Sequence, residues 1–306
     1  MDLIVGATGY VGSLLTRALV AEGRAVRAMS RRPPLRAPPS GVESVRGDVL
    51  NDEGLDAALG GCDVAYYLVH SMEAGASSFE ARDRQAACNF VAACRRAGVD
   101  RVVYLGGIEP SGALSPHMRS RLEVERILME GLPGATGLRA SIIIGAGSPS
   151  FRLMVRLIER IPVLPLPPWR DHRTQPIAER DVVECLVRTP LIGATRGRSI
   201  DIVGPDSLSY AEILEGIAAE LDIDRPPLKL SVFTAPAFAA VASRIAGSDR
   251  DLVRALMGSL GADVLPRSDR AAREMKELYG FRPLGFMRAV RRALADWERE
   301  EPLAAR

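Results

Sequence analysis

Cysteine is scarce in this chain of 306 residues, and its cysteines show neither CxxC spacing nor any other metal-ligand spacing. The sequence therefore predicts no metal site. Cys88 and Cys94 lie in a stretch with helical character, where cysteine is typical of a small core residue. Together with Cys62 and Cys185 they are most simply explained as reduced thiols, which predicts a cytoplasmic location.

A large excess of charge of either sign is also missing. The chain has 40 basic residues and 38 acidic residues, which gives a formal net charge of +2. No basic block of the kind that binds a phosphate backbone stands out. We therefore expect no nucleic acid among the partners of this protein.

Long hydrophobic runs are absent as well. The longest weakly polar run, Val232–Ala242, is too short to span a bilayer and contains Thr234 and Pro236. Membrane contact is therefore expected to be peripheral at most. Because Met1 and Asp2 lead directly into an apolar stretch, we expect no signal peptide.

Hydrophobic residues make up 47% of the chain, which is enough for a large α/β domain and a smaller lobe. In the first half, strand and helix patterns alternate. This alternation predicts a doubly wound parallel sheet with helices on both faces, the Rossmann arrangement. The predicted strands are Asp2–Val5, Ala25–Ser30, Glu43–Arg46, Asp63–Val69, Arg101–Leu105 and Thr136–Ile144.

The pattern changes after Pro162, where a cluster of prolines predicts an irregular loop. We predict a Rossmann domain that consists of residues 1–145 and about 175–203. The remaining residues, about 146–174 and 204–306, are predicted to form a smaller, mostly helical lobe for a substrate or a partner.

Glycines with the spacing G-x-x-G-x-x-G follow the first predicted strand and precede an apolar segment of helical length. This context predicts a dinucleotide site, in which glycine permits the tight turn, the approach of a pyrophosphate and close helix packing. The N–H groups at the helix start are expected to face the phosphates. The predicted cofactor-binding residues of this turn are Gly6, Thr8, Gly9, Tyr10, Val11 and Gly12.

The end of the second predicted strand indicates which dinucleotide binds. In NAD-selective folds an acidic residue at this place binds the adenosine ribose. Here the chain has Ser30, Arg31 and Arg32, with no carboxylate. Because a guanidinium group pairs well with phosphate oxygens, we predict NADP(H), with NAD(H) as the alternative. The arginine pair is open to a second interpretation as a solvated turn.

The end of the fourth predicted strand is expected to lie beside the pyrophosphate and the ribose of the cofactor. This stretch contains Leu68, Val69 and His70. The imidazole of His70 could contact the cofactor or the substrate, and a local hydrogen bond to the backbone is an equal alternative.

A family resemblance extends beyond the glycine turn. The stretches GATGYVG, GDV, DVAYYLVHSM, RVVYLGGIEP, LSPHMRSRLEVERIL, LRASIIIGAGSPSF, TQPIAERDVV and DIVGPDSLSY follow one another in the expected order. Together they resemble the atypical short-chain dehydrogenase/reductases grouped with the NmrA-like proteins and the NDUFA9-like accessory subunits of complex I. The resemblance covers about Met1 to Tyr210. It implies that Asp48, beside Val49, contacts the adenine ring.

Standard members of that superfamily combine Ser or Thr with Tyr-x-x-x-Lys, in which the tyrosine is the acid/base and the lysine holds the ribose. In this chain His117 occupies the tyrosine position and Arg121 the lysine position, and their spacing places both on one helix face. The expected hydroxyl is missing from Leu105–Ile108. His117 and Arg121 are therefore a substitute acid/base pair, the remnant of a lost site, or part of a plain helix start capped by Ser115.

Two classes of function follow from the resemblance and its departures. The first is an NADP(H)-dependent oxidoreductase or isomerase that acts on a small apolar carbonyl or quinone-like compound. The alternative is a non-catalytic NADP(H)-binding sensor or assembly subunit that acts through a protein partner. The loop Trp169–Arg173 is predicted to border the substrate cleft, although a solvated basic loop explains it equally well. No oligomeric state is predicted.

Overall fold

A parallel sheet of seven strands forms the centre of the computed structural model, which describes residues 1–32, 38–69, 79–166, 168–229, 243–244, 253, 260–299, 301 and 303. The strands in these ranges are β1 (Asp2–Val5), β2 (Val26–Ser30), β3 (Val42–Arg46), β4 (Val64–Tyr67), β5 (Arg101–Gly107), β6 (Thr136–Ala140), β7 (Ile143–Ile144), β8 (Leu164–Leu166), β9 (Arg173–Thr174), β10 (Ile177–Ala178), β11 (Arg198–Ile202), β12 (Leu208–Ser209) and β13 (Pro227–Lys229). The helices there are α1 (Tyr10–Ala21), α2 (Leu55–Leu59), α3 (Phe79–Ala97), α4 (Pro116–Gly131), α5 (Pro149–Arg160), α6 (Glu179–Arg188), α7 (Tyr210–Glu220), α8 (Ala271–Tyr279) and α9 (Phe286–Glu298).

The order of strands in the main sheet is β3-β2-β1-β4-β5-β6-β11, and every neighbouring pair runs parallel. The chain begins near the middle with β1, builds outwards to β3, and then crosses to β4 on the other side of β1. In open α/β sheets, ligands bind at the carboxyl ends of the strands at such a switch point. The predicted doubly wound Rossmann fold is confirmed.

The residues of β1 alternate between two cores, as the two-residue period of a strand requires. Leu3 and Val5 pack with side chains of α2, α3 and α4, whereas Ile4 packs with side chains of α1, α6 and α8. Each of the three is at most 1% exposed. Because helices cover both faces, the strand is continuously apolar from Leu3 to Val5.

A third core joins α5, α7 and α9 beside the carboxyl end of the sheet. Phe151, Ile217 and Trp297 are fully buried in it, and the rings of Phe151 and Trp297 meet edge to face with centroids 6.5 Å apart. Its members include residues from both segments predicted for the smaller lobe. The exact division of the chain into two domains stays a prediction.

The expectation of one strand over Thr136–Ile144 is wrong. β6 ends at Ala140, and β7 begins at Ile143 and pairs with β10 rather than within the main sheet. Between them, the hydroxyl of Ser141 donates a hydrogen bond to the carbonyl oxygen of Gln175. The chain thus leaves the sheet and enters the third core, a change that the continuous apolar pattern does not reveal.

Two features are absent from the part of the chain that the structure describes. No helix there combines the length and the hydropathy that a membrane span requires. No group of three or more His, Cys, Asp or Glu side chains there could hold a metal ion.

A buried ion pair connects α4 to β6. The Nε atom of Arg139 lies 2.9 Å from each carboxylate oxygen of Glu125, and the two side chains are 9% and 4% exposed, respectively. The hydroxyl of Ser199 on β11 donates to the same carboxylate. The pair therefore links a helix to two neighbouring strands of the sheet.

Replacement of Glu125 by alanine should lower the free energy of unfolding by about 3–5 kcal/mol, because Arg139 would keep a buried charge without its partner. Urea denaturation of the variant and the wild type measures this change. Glu123→Ala on the same helix is the control, since its ion pairs with Arg84 and Arg126 lie at the surface. The control should lose at most about 1 kcal/mol. Equal losses would contradict the assigned role of the buried pair.

Candidate cofactor and substrate site

The glycine turn between β1 and α1 is so tight that two of its positions have no room for a side chain. Gly6 has a φ of +91°, and a Cβ atom there would lie 2.9 Å from the carbonyl oxygen of Leu68. A Cβ atom on Gly12 would lie 2.2 Å from the carbonyl oxygen of Gly6. Gly12 therefore packs against the turn itself, in addition to any role in packing the helix against the sheet.

Gly9 is the N-cap of α1, and it offers no side chain to the N–H groups of the first helical turn. Its own N–H donates to the carbonyl oxygen of Gly6 at 3.0 Å. Thr8 and Gly9 are exposed and Val11 is half-buried. Unpaired N–H groups and the positive end of the helix dipole suit an anion. A Cβ atom at position 6 or 12 would fill the space inside this turn. Because both residues are glycine, the backbone forms an open cradle that fits the pyrophosphate of a dinucleotide.

The predicted 2′-phosphate residues lie at the end of the strand beside this turn. Met29 pairs with Val5 in the register of β1 and β2, so Ser30 lies next to Gly6. The hydroxyl of Ser30 donates to the carbonyl oxygen of Arg32 at 2.6 Å and closes a short turn. Arg31 and Arg32 are exposed.

The other predicted cofactor residues differ in what they offer. Asp48 uses its carboxylate locally, where it accepts hydrogen bonds from the N–H of Leu50 at 2.9 Å and from Nδ2 of Asn51 at 3.0 Å. The side chain of Val49 is 5% exposed and packs in the core with α2, α3 and α4. Val49 can therefore contact a cofactor only through its backbone. His70 lies outside the described residues.

A cavity of about 470 Å³ extends from the glycine turn into the third core. Residues from the predicted site that line it are Gly9, Tyr10, Val11, Gly12, Leu68, Val69, His117 and Arg121. The rest of the lining is mostly apolar and includes Leu153, Met154, Leu157, Ile158, Leu164, Trp169, Leu214, Leu260 and Val264. It also contains hydroxyl groups, on Ser141, Ser148, Ser150, Thr174 and Tyr210. One continuous space thus joins the predicted cofactor turn, the predicted catalytic pair and an apolar chamber.

His117 and Arg121 lie one turn apart at the start of α4, and both line the cavity. Ser115 caps this helix, since its hydroxyl accepts from the N–H of Met118 at 3.2 Å, as the plain-helix interpretation also predicted. The Nη2 atom of Arg121 donates to the carbonyl oxygen of Leu105 at 2.8 Å. Its Nε is buried and has no hydrogen-bond partner among the described residues. The guanidinium group is therefore fixed at the end of β5 with a donor to spare.

Glycine replaces the expected hydroxyl residue at the end of β5. A Cβ atom on Gly107 would lie 3.1 Å from Cε of Met118 and 3.5 Å from Nε of Arg121. A Cβ atom on Gly106 would lie 2.9 Å from the ring of Tyr104. Side chains of α4 thus lie close to the position that a Cβ atom on Gly107 would take. The position of the Arg121 side chain and the absence of a hydroxyl residue at the end of β5 therefore belong to the same local arrangement.

Tyr10 takes part in a contact that the sequence did not indicate. Its hydroxyl donates to the carboxylate of Glu179 at the start of α6. Burial raises the pKa of the Tyr10 hydroxyl, and the nearby carboxylate raises it further. Burial also raises the pKa of Glu179. Cβ atoms on Gly145 and Gly147 would collide with the Tyr10 side chain. Tyr10 therefore ties the glycine turn to the loop that enters α5.

The loop predicted to border the substrate cleft divides between the cavity and the surface. Trp169 lines the cavity and packs edge to face against Tyr210, with ring centroids 5.6 Å apart. Arg173 is exposed and hydrogen bonds to the carbonyl oxygen of Ser207. His172 lies 3.2 Å from the carboxylate of Asp263 through Nδ1. The aromatic residue thus faces the cavity, whereas the described contacts of Arg173 lie outside it.

Comparison with known proteins gives this site a context. Residues 6–130 match the NAD(P)H-binding family. The chain is 29% identical to the ceramide reductase of Caulobacter vibrioides over 223 residues, which are 70% of this chain and 68% of that protein. It is 30% identical to the 2-alkyl-3-oxoalkanoate reductase of Shewanella oneidensis over 105 residues, or 33% of this chain. The matched part is only 27% of the length of that second relative.

The fold has relatives among solved structures. The chain superposes on MoeE5 in complex with UDP-glucose and NAD with a TM-score of 0.71 and 21% identity, and 98% of each chain is covered. At this identity the likeness shows the fold alone. The glycine turn, the strand order and the family match agree with one another. Residues 6–130 of this chain therefore match an NAD(P)H-binding domain and adopt a Rossmann fold.

Proposed function

We propose that this protein is an NADP(H)-dependent oxidoreductase that reduces the carbonyl group of an apolar, lipid-like compound. The observation behind the proposal is the continuous cavity, which joins the glycine turn to an apolar chamber with His117 and Arg121 between them. Such a cavity can hold a cofactor at one end and an apolar substrate at the other.

The character of the chamber supports an apolar substrate over a nucleotide sugar. Among the described residues that line the cavity, His117 and Arg121 are the ones with a side chain that can bear positive charge. Both lie near the cofactor end. A nucleoside diphosphate would bring a second set of phosphate charges into the chamber, where the described lining offers no further cation to pair with them.

The names of the two relatives point in the same direction. One is a ceramide reductase and the other a 2-alkyl-3-oxoalkanoate reductase, so both names describe reductases of molecules with long apolar parts. The first match covers two thirds of each chain, and therefore includes part of the region that encloses the chamber.

The cavity residues can be assigned roles in such a reduction. When bound, the reduced cofactor supplies a hydride, and the backbone of Gly9 to Gly12 holds its pyrophosphate. His117 donates a proton to the carbonyl oxygen as that oxygen gains negative charge. Arg121, fixed through the carbonyl oxygen of Leu105, holds the ribose hydroxyls with its remaining donors. The apolar chamber excludes water from the reacting group.

A second candidate function rests on the departures at three positions. Gly107, His117 and Arg121 replace the hydroxyl, the tyrosine and the lysine of the standard catalytic set. A protein that binds NADP(H) without turnover could act as a sensor or as an assembly subunit through a protein partner.

Oxidation of NADPH, followed at 340 nm with long-chain 3-oxo esters, steroid ketones and quinones, separates the two candidate functions. Intact cofactor binding without turnover on any of them would favour the second function.

Cofactor binding is tested at the glycine turn. Gly9→Asp should abolish measurable NADPH binding in titration calorimetry, because the new carboxylate would face the pyrophosphate. A Cβ atom at this position would lie 3.3 Å from the carbonyl oxygen of Gly6, so the turn must shift by a few tenths of an ångström to accommodate it. Gly193→Asp is the control, since a Cβ atom there meets nothing within 4 Å. Unchanged affinity in Gly9→Asp would place the cofactor elsewhere.

Cofactor choice is tested at the end of β2. Replacement of both Arg31 and Arg32 by alanine should weaken NADPH binding by about 1.5–3 kcal/mol, the scale of hydrogen bonds to charged groups. NADH lacks the 2′-phosphate, so its affinity should hardly change. Titration of the variant with both cofactors measures the difference. A loss of the same size for NADH would refute the assignment.

The catalytic assignment is tested on α4. His117→Ala should lower turnover by about 10²–10⁴-fold, the usual contribution of general acid–base catalysis, and leave the cofactor dissociation constant nearly unchanged. Arg121→Ala should instead raise that constant. Arg119→Ala serves as the control, because Arg119 is exposed on the same helix and pairs with Glu80. An active protein whose turnover does not respond to His117→Ala would rule this residue out as the acid.

A further inference from the structure

Thr174 is a polar residue in the lining of the cavity. It lines the cavity from β9 and is 0% exposed, and its hydroxyl oxygen has no hydrogen-bond partner among the described residues. Most buried hydroxyl groups in proteins have a partner, because water is lost on burial and must be replaced. A buried threonine hydroxyl without a hydrogen-bond partner is therefore unusual.

In the part of the chain that the structure describes, the Thr174 hydroxyl makes no hydrogen bond that would hold the fold together. The backbone of Thr174 pairs with Leu208 in β12 and with Val264, and these pairings do not depend on the side chain. Trp169, Leu260 and Val264 line the same cavity. Valine has nearly the same shape as threonine and would fill this position without an unpaired polar atom. A hydroxyl here makes sense if something that enters the cavity bonds to it.

We propose that the Thr174 hydroxyl binds a second, uncharged oxygen group of the substrate, apart from the carbonyl group that is reduced near His117. This inference rests on the proposed function of the cavity. An uncharged hydroxyl or carbonyl oxygen fits, because the described residues that line the cavity include no cation other than His117 and Arg121, which the proposed reaction already uses.

The substrate class follows from the two ends of the cavity. It is a molecule with an apolar body, a reducible carbonyl group and a further hydroxyl or carbonyl oxygen within the apolar part. Thr174 is then a specificity-determining residue, since a site that hydrogen bonds a substrate group rejects analogues without that group more strongly than an apolar site does.

The test compares ketones that differ in a single hydroxyl group. The probes are 2-dodecanone and its isomers that have one hydroxyl between carbons 6 and 11, and titration calorimetry gives each dissociation constant without any need for turnover. In the wild type, at least one hydroxylated isomer should bind about tenfold more tightly than 2-dodecanone. Thr174→Val should remove this margin and leave the affinity for 2-dodecanone within about twofold, whereas Thr174→Ser should keep part of it.

Thermal unfolding supplies the matched control. Thr189 is also 0% exposed, but its hydroxyl bonds to the carbonyl oxygen of Cys185 and to the hydroxyl of Tyr279. Thr189→Val should lower Tm, because it leaves buried partners unpaired, whereas Thr174→Val should keep or raise Tm. A drop in Tm for Thr174→Val as large as that for Thr189→Val would show that the hydroxyl serves the fold, and would overturn the inference.

The binding results separate this inference from the proposed function. Binding of the ketones with no preference for any hydroxylated isomer would overturn the role of Thr174 and leave the proposed function standing. A preference that survives in Thr174→Val would do the same. If neither 2-dodecanone nor its isomers bind, the apolar ketone site fails, and the role of Thr174 fails with it.

Discussion

The close approach of α1 to the turn that precedes it is the constraint on which the rest of the site depends. Gly12 lies close to the carbonyl oxygen of Gly6, and Gly6 turns beside Leu68. α1 therefore begins directly after the short turn that follows β1. β1 lies between β2 and β4 in the sheet, so the helix start points at the switch point of the fold. Residues from β4, β5 and α4 lie at the same place, because these elements end or begin at the same edge of the sheet.

The cavity begins in the Rossmann part of the molecule and ends in the third core. Tyr10 bridges these parts, since it belongs to the glycine turn, bonds to Glu179 on α6, and packs against the loop that enters α5. Tyr10 is therefore in contact with α6 and with the loop that enters α5, while it forms the start of α1 beside the glycine turn.

The departures from the standard catalytic set form one consistent arrangement rather than scattered losses. Arg121 reaches the end of β5 and donates to Leu105, and the glycines that follow on that strand leave room for its side chain and for Met118. A cation stays fixed beside the cavity, and His117 lies one turn away. The geometry is thus compatible with chemistry by a different acid.

The sequence by itself determined the parallel sheet, the glycine turn and the position of His117 and Arg121, because these depend on local signals: apolar period, glycine spacing and a spacing of four residues along one helix. Only the tertiary structure decided that β6 ends at Ala140 and that Tyr10 meets Glu179. It also decided that the Thr174 hydroxyl, in the lining of the cavity, has no hydrogen-bond partner among the residues described. These features join residues that are far apart in the chain, and the space between packed elements has no counterpart in a one-dimensional pattern.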